Sequence, residues 1–141
     1  MYITGATSNR DFPTTSNAAQ TVLHIGGIGG SIYDGFDAFV TKLTADGSAL
    51  SYSTFLGGSS GDFAGRLAVD AAGFAHVAGV SDSEDLAGRS YTISRDRRQL
   101  FCCWDAFAAR MSADGSAFVD LNVFGGSFSD GAQGIAVSPQ D

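Results

Sequence analysis

The sequence predicts an all-β protein made of antiparallel four-stranded blades of a β-propeller, an incomplete set amounting to about two blades. Three observations predict it: a composition of turn formers, a gapless internal repeat, and Asp-Gly turn signals between alternating strands. Glycine supplies 19 of 141 residues, roughly double the usual share of about 7%. Of the 15 acidic residues, 14 are Asp; Glu84 is the single Glu and Lys42 the single Lys. Glu and Lys favour helices, whereas Asp, Gly and Ser favour turns and caps. This composition argues against an α-rich protein.

The repeat is read by self-alignment. Asp37-Ala38-Phe39 recurs as Asp105-Ala106-Phe107, 68 positions on, and residues 37–69 match 105–137 at 15 of 33 positions without a gap. Ala45-Asp46-Gly47-Ser48-Ala49 and Gly57-Gly58-Ser59 recur within it. Upstream, Tyr2-Ile3-Thr4-Gly5 matches His76-Val77-Ala78-Gly79 at an offset of 74, so the connection is six residues shorter in the second copy. Length changes fall in surface loops, so the segments between Gly5 and Asp37, and between Gly79 and Asp105, are expected to be loop.

Taken in order, residues 1–65 form most of a first repeat, with strands at about 2–5, 38–43 and 49–56. Residues 66–132 form a second, with strands at about 66–70, 74–80, 106–111 and 117–124. Residues 133–141 begin a third with its first strand. Leu67 and Val69 share a face at period two, as do Phe39, Thr41 and Leu43. Asp46-Gly47 predicts a two-residue hairpin turn of type I′, where both central residues take positive φ. Four short antiparallel strands repeated head to tail are propeller grammar. A β-solenoid is the alternative, but its parallel sheets do not use hairpin turns.

These residues resemble the SBBP family of bacterial β-propeller repeats. The resemblance rests on Tyr2-Ile3-Thr4-Gly5, Asp11-Phe12-Pro13-Thr14-Thr15, Asp37 to Leu43, Asp46 to Leu50, Tyr52 to Gly58, and Gly65 to Asp70. It implies the architecture and an extracellular or cell-surface location in a bacterium, with no established catalytic set. The second copy departs from the pattern between Ser81 and Trp104. Its chain start reads as a strand already under way, so a piece of a longer chain is expected.

The net charge of −7 disfavours nucleic acid, which requires a clustered basic face. No stretch has the ~18–20 apolar residues of a membrane span. The adjacent Cys102 and Cys103 match no spaced disulfide or C-x-x-C pattern; two free thiols or a vicinal disulfide remain open. No G-x-S-x-G or H-E-x-x-H motif accompanies His24 or His76. His76 stands where the first copy has Tyr2, which points to packing, and His24 has no visible partner in its variable loop.

Candidate binding residues are Arg95, Arg97, Arg98 and Trp104, because Arg forks hold carboxylates or sulfates and Trp is an interface anchor. Candidate metal ligands are Asp34, Asp37 and Asp62, which could offer oxygens to Ca²⁺; no other cofactor is implied. Asp37 and Asp105 recur just before a strand, where a short carboxylate accepts backbone N–H bonds. Lys42 and Arg110 recur at one strand end and are expected to pair with acidic neighbours. The expected role is a non-catalytic scaffold or ligand-binding surface, whose partners are further repeats of the same chain or another copy, and a protein or glycan ligand. The alternative is part of a propeller enzyme acting on polysaccharide through carboxylates such as Asp62 or Asp130.

Overall fold

The computed structural model describes residues 1–24, 35–91 and 104–138. They form two antiparallel sheets. The first contains β1 (Tyr2–Thr7), β2 (Asp37–Leu43) and β3 (Leu50–Leu56), in that order. The second contains β4 (Asp62–Val69), β5 (Ala75–Ser81), β6 (Asp105–Met111) and β7 (Phe118–Phe124), again in chain order. Among the described residues the only helical element is a 3-10 turn, Leu86–Gly88. None of them forms a helix long and apolar enough to cross a membrane.

Each sheet is a meander of consecutive antiparallel strands; short turns join β2 to β3, β4 to β5 and β6 to β7, and long segments join β1 to β2 and β5 to β6. The β2–β3 turn differs from the two-residue type expected at Asp46-Gly47. Only Gly47 has positive φ, at 74°. The Gly47 N–H donates to the Thr44 carbonyl and the Thr44 N–H to the Ala49 carbonyl, so the loop is wider. Asp46 holds it by accepting bonds from the Thr44 hydroxyl and from both the amide and hydroxyl of Ser48. These donors draw the exposed carboxyl down to about 2. Asp114 repeats the arrangement with Ser112 and Ser116.

The sheets pack face against face. β4 lies against β1 and β2. Ala38, Val40 and Leu56 of the first sheet and Val77, Phe107 and Met111 of the second are fully buried in one apolar cluster. Full burial of such a large apolar side chain contributes about 1.5–3 kcal/mol. A second contact is polar: the β6–β7 turn sits on the first sheet. There Lys42 Nζ donates to the Ala113 carbonyl, Asn17 Nδ2 to the Asp114 carbonyl, and the Ala19 N–H to the Gly115 carbonyl.

The loop after β1 has a defined task. Its Thr15 N–H donates to the Ser53 carbonyl, and the Phe55 N–H donates to the Gln20 carbonyl. The segment thereby covers the outer edge of β3, which would otherwise offer unpaired backbone groups. Phe12 packs on Phe39 and Phe55 at ring-centroid distances of 4.5 and 5.8 Å. On the second sheet, Arg89 and Tyr91 reach the β7 carbonyls of Phe118 and Leu121.

Three boundaries differ from expectation by more than one residue; β1 runs on to Thr7 instead of ending at about 5. β4 begins at Asp62 instead of 66, because the Asp62 N–H donates to the Phe36 carbonyl and draws the chain into the sheet early, with a bulge between Ala64 and Arg66. The strand expected over 133–141 is not formed across 133–138. Its counterpart in the repeat, β4, pairs with β5.

Gly57 backs directly onto the Asp37 carboxyl, and a Cβ there would overlap it. Gly57→Ala is expected to destabilise the protein by about 1–3 kcal/mol. Gly65→Ala, where a Cβ meets nothing within 4 Å, is expected to be neutral. Urea unfolding of both variants checks this, and equal effects would refute it.

Candidate functional site

The densest grouping of ionisable and polar side chains surrounds Gly57-Gly58-Ser59-Ser60-Gly61, the link from β3 to β4. Asp37 at the start of β2, Asp62 at the start of β4, and Ser81, Ser83 and Asp85 at the end of β5 and just beyond converge on it. The sequence folds this way locally because two glycines admit the approach. A Cβ on Gly58 would come within 2.6 Å of Asp85 Oδ1 and 2.7 Å of Ser83 Cβ.

Asp62 is fully buried. It accepts a bond from the Gly58 N–H at 2.8 Å, one from Ser83 Oγ at 2.8 Å, and a short one from Ser81 Oγ. Burial pushes its carboxyl up to about 7; these donors oppose the rise, and Asp37 adds to it. Asp37 is also fully buried. Its Oδ2 accepts from Gln20 Nε2 and from the His24 N–H, both at 3.0 Å. Among the described residues its Oδ1 has no hydrogen-bond donor. Burial raises Asp37 to about 6, against the pull of the His24 and Gln20 bonds. Gln20 also closes the link from the other side, its Oε1 accepting the Gly57 N–H at 3.1 Å.

The backbone of the link is satisfied almost residue by residue. The Ser59 N–H donates to Asp85 Oδ1 at 2.6 Å and the Ser60 N–H to Ser83 Oγ at 2.9 Å. The Gly57 and Gly61 carbonyls accept the N–H groups of Ala87 and Asp82. Satisfied backbone of this kind is what allows an irregular link to be buried.

Part of the joint recurs 68 positions later, around an Asp130 that is exposed where Asp62 is buried. Gly125 backs onto Asp105, the Gly126 N–H donates to Asp130 Oδ2 at 2.6 Å, and the Asp130 N–H donates to the Trp104 carbonyl at 2.6 Å. The counterparts are Gly57 on Asp37, Gly58 to Asp62, and Asp62 to Phe36.

Of the residues singled out by sequence, Asp37 and Asp62 are brought into this joint. Asp34, Arg95, Arg97 and Arg98 lie outside the described residues, as do Cys102 and Cys103. Trp104 is half-buried, with its ring edge-on to Phe63 at 5.4 Å; Phe63 in turn stacks on Phe36 at 5.4 Å. Among the described residues no three His, Cys, Asp or Glu side chains form a group that could hold a metal ion. Arg110 pairs with Asp120 at 2.6 Å and lies over Phe74. Lys42 instead lies over the Tyr2 ring at 5.2 Å, because Tyr52 occupies the register position that Asp120 holds in the second sheet. His76 bonds Asp70 at 3.0 Å, while His24 contributes its backbone N–H to Asp37.

Gln20, Ser81, Ser83 and Asp85 were not found from sequence. A signal existed for the serines: at the offset of 74, Ser81-Asp82-Ser83 falls on Thr7-Ser8-Asn9, and Thr7 Oγ1 accepts the Asn9 N–H as Ser81 Oγ accepts the Ser83 N–H, each at 3.1 Å. Chemically, the arrangement fixes backbone. Asp62 presents no surface to solvent, so a substrate could not reach it without opening the joint. No family model, curated protein or solved structure matches the chain.

Both buried carboxyls are raised above the ordinary Asp value of 3.8, so the folded state holds their protons where the unfolded chain releases them. Their stabilising contribution is complete below that value and is lost as pH rises through about 6 and about 7. The melting temperature is therefore expected to fall between pH 4.5 and 8, and to fall less in Asp37→Asn with Asp62→Asn. A rising wild-type profile across this window, measured by calorimetry, would contradict the assignment.

Proposed function

We propose that the chain is a non-catalytic run of β-propeller blade repeats, of the SBBP kind, serving as scaffold and ligand-binding surface on the exterior of a bacterium. The observation that carries this reading is the recurrence, in both copies, of the glycine backing on the pre-strand Asp and of the backbone bonds of the link. The acidic residues at Asp37, Asp62 and their counterparts Asp105 and Asp130 stand at matching places in both copies. A catalytic pair is set apart by its environment, with the two carboxyls facing one substrate. Here the conserved geometry between copies serves the chain itself.

The stacking of successive meanders face to face supports the propeller assignment, since each blade buries its face only against a neighbour. Ligand recognition falls to what the copies do not share, the segment from Ser81 to Trp104. Its Arg95, Arg97 and Arg98 suit an anionic ligand, such as an acidic glycan or a sulfated chain, through bidentate hydrogen bonds.

Two measurements test the reading. Incubation with a panel of bacterial and plant polysaccharides is expected to release no new reducing ends. An acidic-glycan array is expected to show binding that drops at least tenfold, about 1.4 kcal/mol, in the combined Arg95→Ala, Arg97→Ala, Arg98→Ala variant. Polysaccharide cleavage lost in Asp130→Asn, with unchanged melting, would overturn the non-catalytic assignment in favour of the enzyme alternative.

A further inference from the structure

Two of the four Asp-Gly pairs in the chain share a setting that the other two lack. Asp46-Gly47 and Asp114-Gly115 each have a hydroxyl residue two places before and two places after the Asp: Thr44 and Ser48, Ser112 and Ser116. Asp34-Gly35 has Ile32 and Phe36 at those places, and Asp130-Gly131 has Phe128 and Ala132. Asp-Gly is the aspartyl sequence most prone to isomerise, because glycine has no side chain to keep its amide nitrogen away from the preceding carboxyl.

The reaction closes a five-membered succinimide ring. The glycine amide nitrogen attacks Cγ of the neutral Asp carboxyl, and one carboxyl oxygen leaves as water with the acid proton and the amide proton. Water then reopens the ring at either carbonyl. Opening at Cγ restores Asp. Opening at the main-chain carbonyl leaves isoaspartate, whose backbone runs through the side-chain methylene. Three things are therefore required: an amide nitrogen free to attack, a carboxyl free to turn towards it, and the neutral acid.

The turns after β2 and β6 withhold all three. The Gly47 N–H is given to the Thr44 carbonyl and the Gly115 N–H to the Ser112 carbonyl, each at 3.0 Å. Asp46 is held through both oxygens: Oδ1 accepts from the Thr44 hydroxyl and the Ser48 N–H, and Oδ2 from the Ser48 hydroxyl at 2.8 Å. Asp114 Oδ1 accepts from the Ser112 hydroxyl at 2.7 Å, the Ser116 hydroxyl at 2.8 Å and the Ser116 N–H at 3.1 Å. These donors, the Thr44 and Ser112 hydroxyls foremost, hold both carboxyls at about 2 against an ordinary 3.8. The neutral fraction at pH 6 is thereby lowered by up to roughly sixtyfold. Both Asp side chains are exposed, so burial gives them no protection.

We propose that Asp46-Gly47 and Asp114-Gly115 are isomerisation sites kept silent by their paired hydroxyls, and that the guard at Asp114 protects the seating of the β6–β7 turn on the first sheet. That turn carries a contact which isomerisation would undo. The Asp114 carbonyl accepts from Asn17 Nδ2 at 3.1 Å and the Gly115 carbonyl from the Ala19 N–H at 3.0 Å. Gly115 is buried against the Tyr52 ring, where a Cβ would come within 2.3 Å of Cγ. Isoaspartate at 114 takes the first carbonyl out of the main chain as a free carboxylate and displaces Gly115 by a methylene. The guard is local to each turn, so the two turns serve as each other's control.

The test is ageing at pH 6 and 37 °C, with isoaspartate at each site read by isoaspartyl methyltransferase labelling and peptide mapping. Thr44→Val with Ser48→Ala is expected to raise isoaspartate at Asp46 by about fivefold or more and to leave Asp114 at the wild-type level. Thr44→Ser with Ser48→Thr keeps both hydroxyls and is expected to match the wild type. Ser112→Ala with Ser116→Ala is expected to give the converse, and its isomerised fraction to lose hydrogen-exchange protection at the Ala19 amide. Ser48→Ala alone, at an exposed position, keeps the test open should a double variant fail to fold; a rise at Asp46 alone is expected. Unchanged isoaspartate in the folded hydroxyl-free variants overturns the proposal. So does an equal rise at both sites in one folded variant, which would assign the rate to loosening of the whole molecule.

Discussion

The carboxylate of Asp62 is withdrawn from water where the two sheets meet, and the surrounding structure answers that constraint. A buried ionised group costs several kcal/mol unless donors replace its hydration. Here the Gly58 amide and the hydroxyls of Ser81 and Ser83 do so in part, and burial still raises the carboxyl to about 7. The donors come from two parts of the chain, so meeting the carboxyl brings the link after β3 to the end of β5. The glycines at 57 and 58 follow from the same requirement, since side chains there would occupy the space of Asp37, Ser83 and Asp85.

From this joint the rest is propagated by geometry. Asp62 starts β4 early and sets its course against β1 and β2, which buries the apolar faces of both sheets together. The bonds that recur at Asp130, from Gly126 and to Trp104, start the next segment beside the second sheet. The polar joint and the apolar interface therefore act on different links of one chain of cause. The joint supplies direction and register, while burial of Val40, Leu56, Val77 and Phe107 supplies most of the driving force.

Much of this was legible in the sequence, and the reasons are local. β2, β3, β6 and β7 declare themselves by alternation and by a gapless repeat at 68 residues, and their observed ends lie within one residue of expectation. The turn at Asp46 was located correctly but misread in type, because a side chain that binds Thr44 and Ser48 stabilises a wider loop than the dipeptide alone suggests. The early start of β4 was not legible, since it depends on a bond to Phe36, distant in sequence. Asp37 and Asp62 were visible as acids in a glycine-rich setting, yet their task as buried acceptors depends on Gln20, His24, Ser81 and Ser83, which only the fold brings near. A strand was expected at 133–141 because its sequence has the pattern; pattern makes a strand only when a neighbour completes the ladder.

The central claim is that a glycine-rich link, by sequence the most flexible kind of segment, is one of the firmest parts of the molecule. Native-state hydrogen exchange at Gly58, Ser59, Ser60 and Asp62 measures this directly. Their amides donate to Asp62, Asp85, Ser83 and Phe36 respectively. They are predicted to exchange only through global unfolding, with the same free energy of opening as the amides of β5 and β6. Fast exchange of these four amides from an otherwise intact protein would contradict the account.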